Sequence, residues 1–177
     1  MTLKNKAFIL LILLFCGIIV ASLLLRQKPA VTIAKIGSPA PDIELIDINK
    51  NKVRLSDLNG SVVFVNFWAT WCESCVEEMP SMERLLRNLA DNPKFKPVTI
   101  LYRDNIESAL SFMKLNGYTF PVYSNPDETA PRKFGITGVP ETFIVDKKGV
   151  LREKVIGPAD WDSPAVYSTL QSLINEP

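Results

Sequence analysis

The chain has 177 residues, 47% of them hydrophobic, and a formal net charge of +1; this fits one domain with a proper core plus a short leader, and shows no basic nucleic-acid footprint. Histidine is absent, so the commonest metal ligand and general base are missing, and most Cys-His and Ser-His chemistry is ruled out. The three cysteines, Cys16, Cys72 and Cys75, are too few for the disulfide framework of a small secreted fold.

In chain order, residues 1–6 form a cationic tip with Lys4 and Lys6. Ala7 to Leu25, AFILLILLFCGIIVASLLL, then runs for 19 residues without a charge, about 28 Å as a helix and close to the thickness of a bilayer's hydrocarbon core. This predicts one transmembrane anchor over 7–25. A signal peptide cut after Ala21 is the alternative, but the apolar stretch continues four residues beyond that point. Lys4, Lys6 and the α-amine favour a cytosolic N-terminus. Residues 26–38 then form a polar, proline-containing linker, and a domain over 39–177 faces the extracytoplasmic side. Cys16 is most simply an apolar residue within the span.

The domain begins with DIELIDINKNKVRLSDLNG, two short alternating segments about a turn, which predict a β-hairpin closed at Asn59-Gly60. SVVFVNF is a nearly continuous apolar run of the kind found in a central strand buried on both faces. From Cys72 to about Asp91, Val76, Met79, Met82, Leu85, Leu86 and Leu89 recur at helical spacing, with Pro80 inside the helix. PVTILY predicts a strand, IESALSFMKLNG a helix ending at Gly117, FPVYS a strand and ETAPRKFG a short helix. ETFIVD and GVLREKVIG form a second hairpin joined at Lys148-Gly149, and PAVYSTLQSLI closes the chain as a helix. The sum is an α/β fold with a central mixed sheet flanked by helices, parallel in the middle and with an antiparallel hairpin at one edge.

Cys72 follows a buried strand and opens a helix, where unpaired N–H groups and the helix dipole favour a thiolate. It is the expected attacking sulfur. Cys75, one turn on, is placed to resolve a mixed disulfide. A zinc site would need two further ligands that the sequence does not readily supply, so a redox couple is favoured over a metal site or an inert structural disulfide.

With WATWCESC, Pro80, FPVYSNPD and GITGVPETFIVDKKG in place, the chain over about residues 36–175 resembles the thioredoxin-like fold. More narrowly, it resembles the membrane-tethered TlpA/ResA/CcmG-like thiol:disulfide oxidoreductases that serve cytochrome c maturation, with an added N-terminal β-hairpin. The resemblance implies that Pro140 is the cis-proline of that fold, and that Val139 offers its backbone N–H and C=O to an extended substrate by strand addition.

Glu78, three residues after Cys75, shares its helix face and can shuttle a proton to or from the resolving thiol; relatives of this branch carry a glutamate at the same offset. Where ordinary thioredoxins hold a buried aspartate, six residues before the first cysteine, this chain has Asn66. Glu73, Glu77, Glu78 and Glu141 suggest an acidic rim that opposes the Cys72 thiolate and so makes the couple reducing. Such a rim favours basic polypeptides over anionic glutathione. Trp71 is expected beside the exposed sulfur, and Glu141 in PETF as a substrate-selecting residue.

These expectations describe an enzyme of the bacterial inner membrane whose catalytic domain faces the periplasm or extracytoplasmic side. It reduces a protein disulfide, by resemblance the oxidised CxxCH of an apocytochrome c, and draws electrons from a membrane thiol transporter. No metal, nucleic acid or cofactor beyond the redox-active Cys72–Cys75 disulfide is implied. Two alternatives are a general disulfide oxidoreductase or isomerase for secreted proteins, and a non-catalytic copper-binding chaperone using both cysteines as soft ligands.

Overall fold

The computed structural model describes residues 12–19, a helical segment α1, and residues 33–177. The expected cytosolic tip, most of the anchor and the first part of the linker fall outside the described residues, and among those described no helix is long and apolar enough to cross a membrane. The end of the expected linker belongs to the fold. Ala34 N donates to Lys133 O at 2.9 Å and Gly37 N to Leu151 O at 2.7 Å, while Ser38 O accepts from Leu151 N at 3.0 Å. Backbone hydrogen bonds to the fold therefore begin several residues before 39, ahead of the bridge between Pro39 and Val150, a feature that polar composition conceals.

Seven strands form one sheet: β1 (Glu44–Asp47), β2 (Lys52–Arg54), β3 (Val62–Trp68), β4 (Phe95–Leu101), β5 (Val122–Ser124), β6 (Glu141–Val145) and β7 (Leu151–Ile156), in the order β2-β1-β5-β4-β3-β6-β7. Pairs β3–β4 and β4–β5 are parallel, joined by helix crossovers, and the other four are antiparallel. A hairpin thus closes each edge, where one edge was expected. The short β5 leaves its outer side open, and β1 pairs with it through Ile46–Ser124 and Asp47–Tyr123. Asp47 also builds the first hairpin's turn, accepting from Asn49 N at 2.8 Å and Asn51 N at 2.7 Å.

Every residue of β3 is buried, and its alternation divides the core. Val62, Phe64 and Trp68 join the cluster fed by α2 (Glu73–Asn88), α3 (Ile106–Asn116) and α5 (Pro164–Asn175). Val63, Val65 and Phe67 join the opposite cluster, which holds Ala130 and Phe134 of α4 (Thr129–Phe134) and Phe143 of β6. Helix α2 buries Cys75, Met79, Met82, Leu85 and Leu86 along one stripe, each large apolar side chain contributing roughly 1.5–3 kcal/mol of transfer free energy. The helix stops at Asn88, three residues short of the expected end, with Leu89 as its cap. Helix α3 begins at the Asn105 cap, whose side chain accepts from Ser108 N at 3.0 Å, and ends at Gly117, whose φ of 71° is the left-handed cap that glycine adopts without a Cβ clash. Strand β3 thereby delivers the chain at the N-terminus of α2, with the β6 start beside it.

Candidate active site

Cys72 caps α2 with extended backbone (φ −93°, ψ 105°), and its sulfur accepts from Cys75 N at 3.1 Å. The two cysteines are joined as a disulfide, their Cα atoms 5.2 Å apart. Cys72 is 6% exposed and Cys75 fully enclosed, so only the first sulfur can meet an incoming partner. The segment leading to it is tied to the loop after β4. Thr70 donates through N and Oγ1 to Asp104 Oδ2 at 2.6 and 2.7 Å, and Trp71 Nε1 donates to Arg103 O at 3.3 Å. That leaves the Trp71 ring 59% exposed beside Cys72, as a platform on which a partner chain can lie.

Across from the cysteines, the Val139–Pro140 peptide bond is cis, and Val139 O lies 3.3 Å from Cys72 Sγ. On reduction a Cys72 thiol can donate to that carbonyl. The loop is held from below by Glu141, whose carboxylate is fully buried. Its Oε1 accepts from Thr137 N at 2.9 Å and Gly138 N at 3.4 Å, and its Oε2 is 2.8 Å from Lys154 Nζ.

Glu78 is 3% exposed and gathers three donors. Asn66 Nδ2 reaches Oε1 at 3.1 Å, while Ala159 N and Trp161 Nε1 reach Oε2 at 3.1 and 2.8 Å. Burial pushes its pKa above the ordinary carboxylate range, and the bonds from Trp161, Ala159 and Asn66 only partly offset this. Ser81 stitches the 159–161 loop to α2, donating to Glu78 O at 2.8 Å and accepting from Trp161 N at 3.1 Å. Asn66 also donates to Thr142 Oγ1 at 2.8 Å, leaving its own buried Oδ1 without a partner. An open depression is lined by Glu77, Glu78, Pro80, Arg84, Pro158 and Asp160.

The structure brings Trp71, Cys72, Cys75, Val139 and Pro140 together, with Glu78 one turn along α2. It does not assemble the expected acidic rim. Glu78 is enclosed, and Glu141 faces the cluster of Phe67 and Phe143, on the side of the sheet opposite Asn66 and Thr142. Glu141 is therefore not a substrate-contacting residue; strand alternation turns it away from the cysteines. Only Glu73 and Glu77 remain as exposed acids beside the pair. Sequence reasoning missed Trp161, Ala159, Asp104 and Lys154. A tryptophan alone in the polar stretch GPADWDS is the one signal that could have flagged the loop holding Glu78.

The family model described as "AhpC/TSA family" matches residues 36–154. The chain is 35% identical over 128 residues to the thiol-disulfide oxidoreductase ResA of Bacillus thuringiensis (strain Al Hakam), 70% of each chain. It is 36% identical over 129 residues to the thiol:disulfide interchange protein DsbE of Allochromatium vinosum, covering 71% of this chain and 68% of that one. Among solved structures, a thioredoxin family thiol:disulfide interchange protein from Chlorobium tepidum TLS superposes with a TM-score of 0.66 at 26% identity, over 80% of this chain and 99% of that one.

Proposed function

The chain belongs to the AhpC/TSA family and is a thiol-disulfide oxidoreductase of the ResA/DsbE type, and on that premise we propose that it works as a membrane-anchored, extracytoplasmic reductant of protein disulfides. The observation that carries this reading is the Cys72–Cys75 disulfide at the head of α2, with Cys72 alone accessible and facing Val139 O.

In the reducing direction the Cys72 thiolate attacks one sulfur of the target disulfide, and the released target thiolate takes up a proton. Glu78, ionised, accepts the Cys75 proton; the Cys75 thiolate then attacks Cys72 Sγ, expelling the second target thiolate, which is protonated in turn. Two electrons and two protons have passed to the target, and the Cys72–Cys75 disulfide has formed. A membrane thiol transporter restores the dithiol. Chemistry of this kind uses the cysteine pair itself and no added cofactor.

The direction follows from charge. Exposed Glu73 and Glu77 stand close in sequence to Cys72 and disfavour its thiolate, which leaves the dithiol less stabilised and the couple more reducing. The target is an apocytochrome c with an oxidised CxxCH, a reading supported by the resemblance of WCESC and GVPETF to the cytochrome-maturation branch. The anchor over 7–25 and the periplasmic or extracytoplasmic placement are supported by the uncharged run in the sequence.

Equilibrating the full chain in detergent with defined glutathione or dithiothreitol mixtures measures the couple's potential. A value near −270 mV, about that of thioredoxin, is expected; one near −120 mV, about that of DsbA, makes the protein a disulfide donor instead.

A further inference from the structure

A carboxylate buried beneath the Val139–Pro140 loop needs a reason. The Glu141 side chain is 1% exposed and its partner Lys154 25% exposed, and taking a carboxylate out of water is costly, so packing alone does not account for Glu141 there. Its geometry does. Oε1 of Glu141 takes the successive N–H groups of Thr137 and Gly138, and Thr137 Oγ1 at 3.3 Å, closing the segment 137–141 into a ring. Lys154 on β7 secures the other oxygen at 2.8 Å, its Nζ 5.1 Å from the centre of the Phe143 ring. Between these fixed ends the chain arches over Val139 and Pro140. Pro140 O accepts from Gly157 N at 2.9 Å, and Val139 O is left 3.3 Å from Cys72 Sγ.

We propose that Glu141, steadied by Lys154, is a positioning residue for polypeptide substrates. It fixes the Val139 backbone groups beside Cys72, where an extended chain flanking the target disulfide pairs with them, and so favours peptide disulfides over small ones. This rests on the reductase reading of the Cys72–Cys75 pair. A small disulfide has no backbone to pair, so it is blind to the arch; a peptide is not.

The test compares rates of reduction of two oxidants by the pre-reduced full chain in detergent: a peptide closed by a CxxC disulfide, and 2-hydroxyethyl disulfide. In Glu141→Leu/Lys154→Met, which leaves no lone buried charge, the peptide-to-small rate ratio falls about tenfold, the size of one lost hydrogen bond. Glu141→Gln, whose amide oxygen still accepts both N–H groups, keeps most of the ratio. An unchanged ratio in the double variant overturns the proposal. A wild-type chain that reduces 2-hydroxyethyl disulfide but not the peptide overturns the reductase reading and this inference with it. Should the double variant not fold, hydrogen exchange decides. The Thr137 and Gly138 amides are protected in the wild type and stay protected in Glu141→Gln, as the β3 amides do; unprotected wild-type amides at 137 and 138 overturn it.

Discussion

Trp161 donates its indole N–H to Glu78 Oε2 at 2.8 Å across 83 residues of sequence. The same ring meets Phe64 edge-on with centroids 4.9 Å apart, so packing aims the donor. Among the influences on Glu78, this bond is the largest that opposes burial. Trp161→Phe keeps the aromatic contact and removes the donor. It is expected to raise the Glu78 pKa further and to move the pH dependence of Cys75 reactivity to higher pH, at a stability cost of about 1–3 kcal/mol. Rates of thiol alkylation across pH check this; a profile that does not move separates Glu78 from the thiol's proton.

Glu78→Gln addresses the same group through stability. Burial raises the folded pKa above the unfolded value, so between the two the folded chain holds a proton that the unfolded chain has released. Stability from this group is thus present below the unfolded pKa and is lost as pH rises through the folded one. The variant lacks that loss, and its stability relative to the wild type should improve as pH climbs from the ordinary carboxylate range upward. The unpartnered Asn66 Oδ1 can turn to accept the new amide. Denaturant melts at a series of pH values measure the difference; a difference independent of pH denies the raised pKa.

Glu83 runs the opposite way. Burial alone would raise its pKa, but Thr119 through N at 2.9 Å and Oγ1 at 2.6 Å, with Arg87 at 2.6 Å, outweighs burial and lowers it. Its stabilisation is present above the unfolded pKa and lost as pH falls through the folded one. Glu83→Gln should cost about 1–3 kcal/mol near neutral pH, mostly through the Thr119 bonds because Arg87 is largely exposed. That cost should shrink in acid. An equal cost at both ends of the pH range means the carboxylate's charge does not matter.

Two buried carboxylates, Glu78 and Glu141, show where reading along the chain succeeds and fails. Glu78 was legible because the i, i+3 spacing from Cys75 on an amphipathic helix fixes a shared face whatever surrounds it. Glu141 was misplaced because it was read from the resemblance of PETF to the cytochrome-maturation branch, which does not say which face of the sheet its side chain takes. In β6 each successive side chain changes face, and the register Asn66–Thr142 and Phe67–Glu141 sends Thr142 towards the Glu78 side and Glu141 to the other.

Periodicity and local chemistry are short-range properties, and on them the sequence by itself determined the elements, the buried central strand and a cysteine pair at the joint between strand and helix. Tertiary structure decided the rest: the hairpin at each edge, the loop from Gly157 to Trp161 that closes over Glu78, Asp104 holding the approach to Cys72, and the Glu141–Lys154 pair under Val139. The partners in each of these come from separate segments of the chain, and only the order and register of the strands bring them within hydrogen-bonding distance.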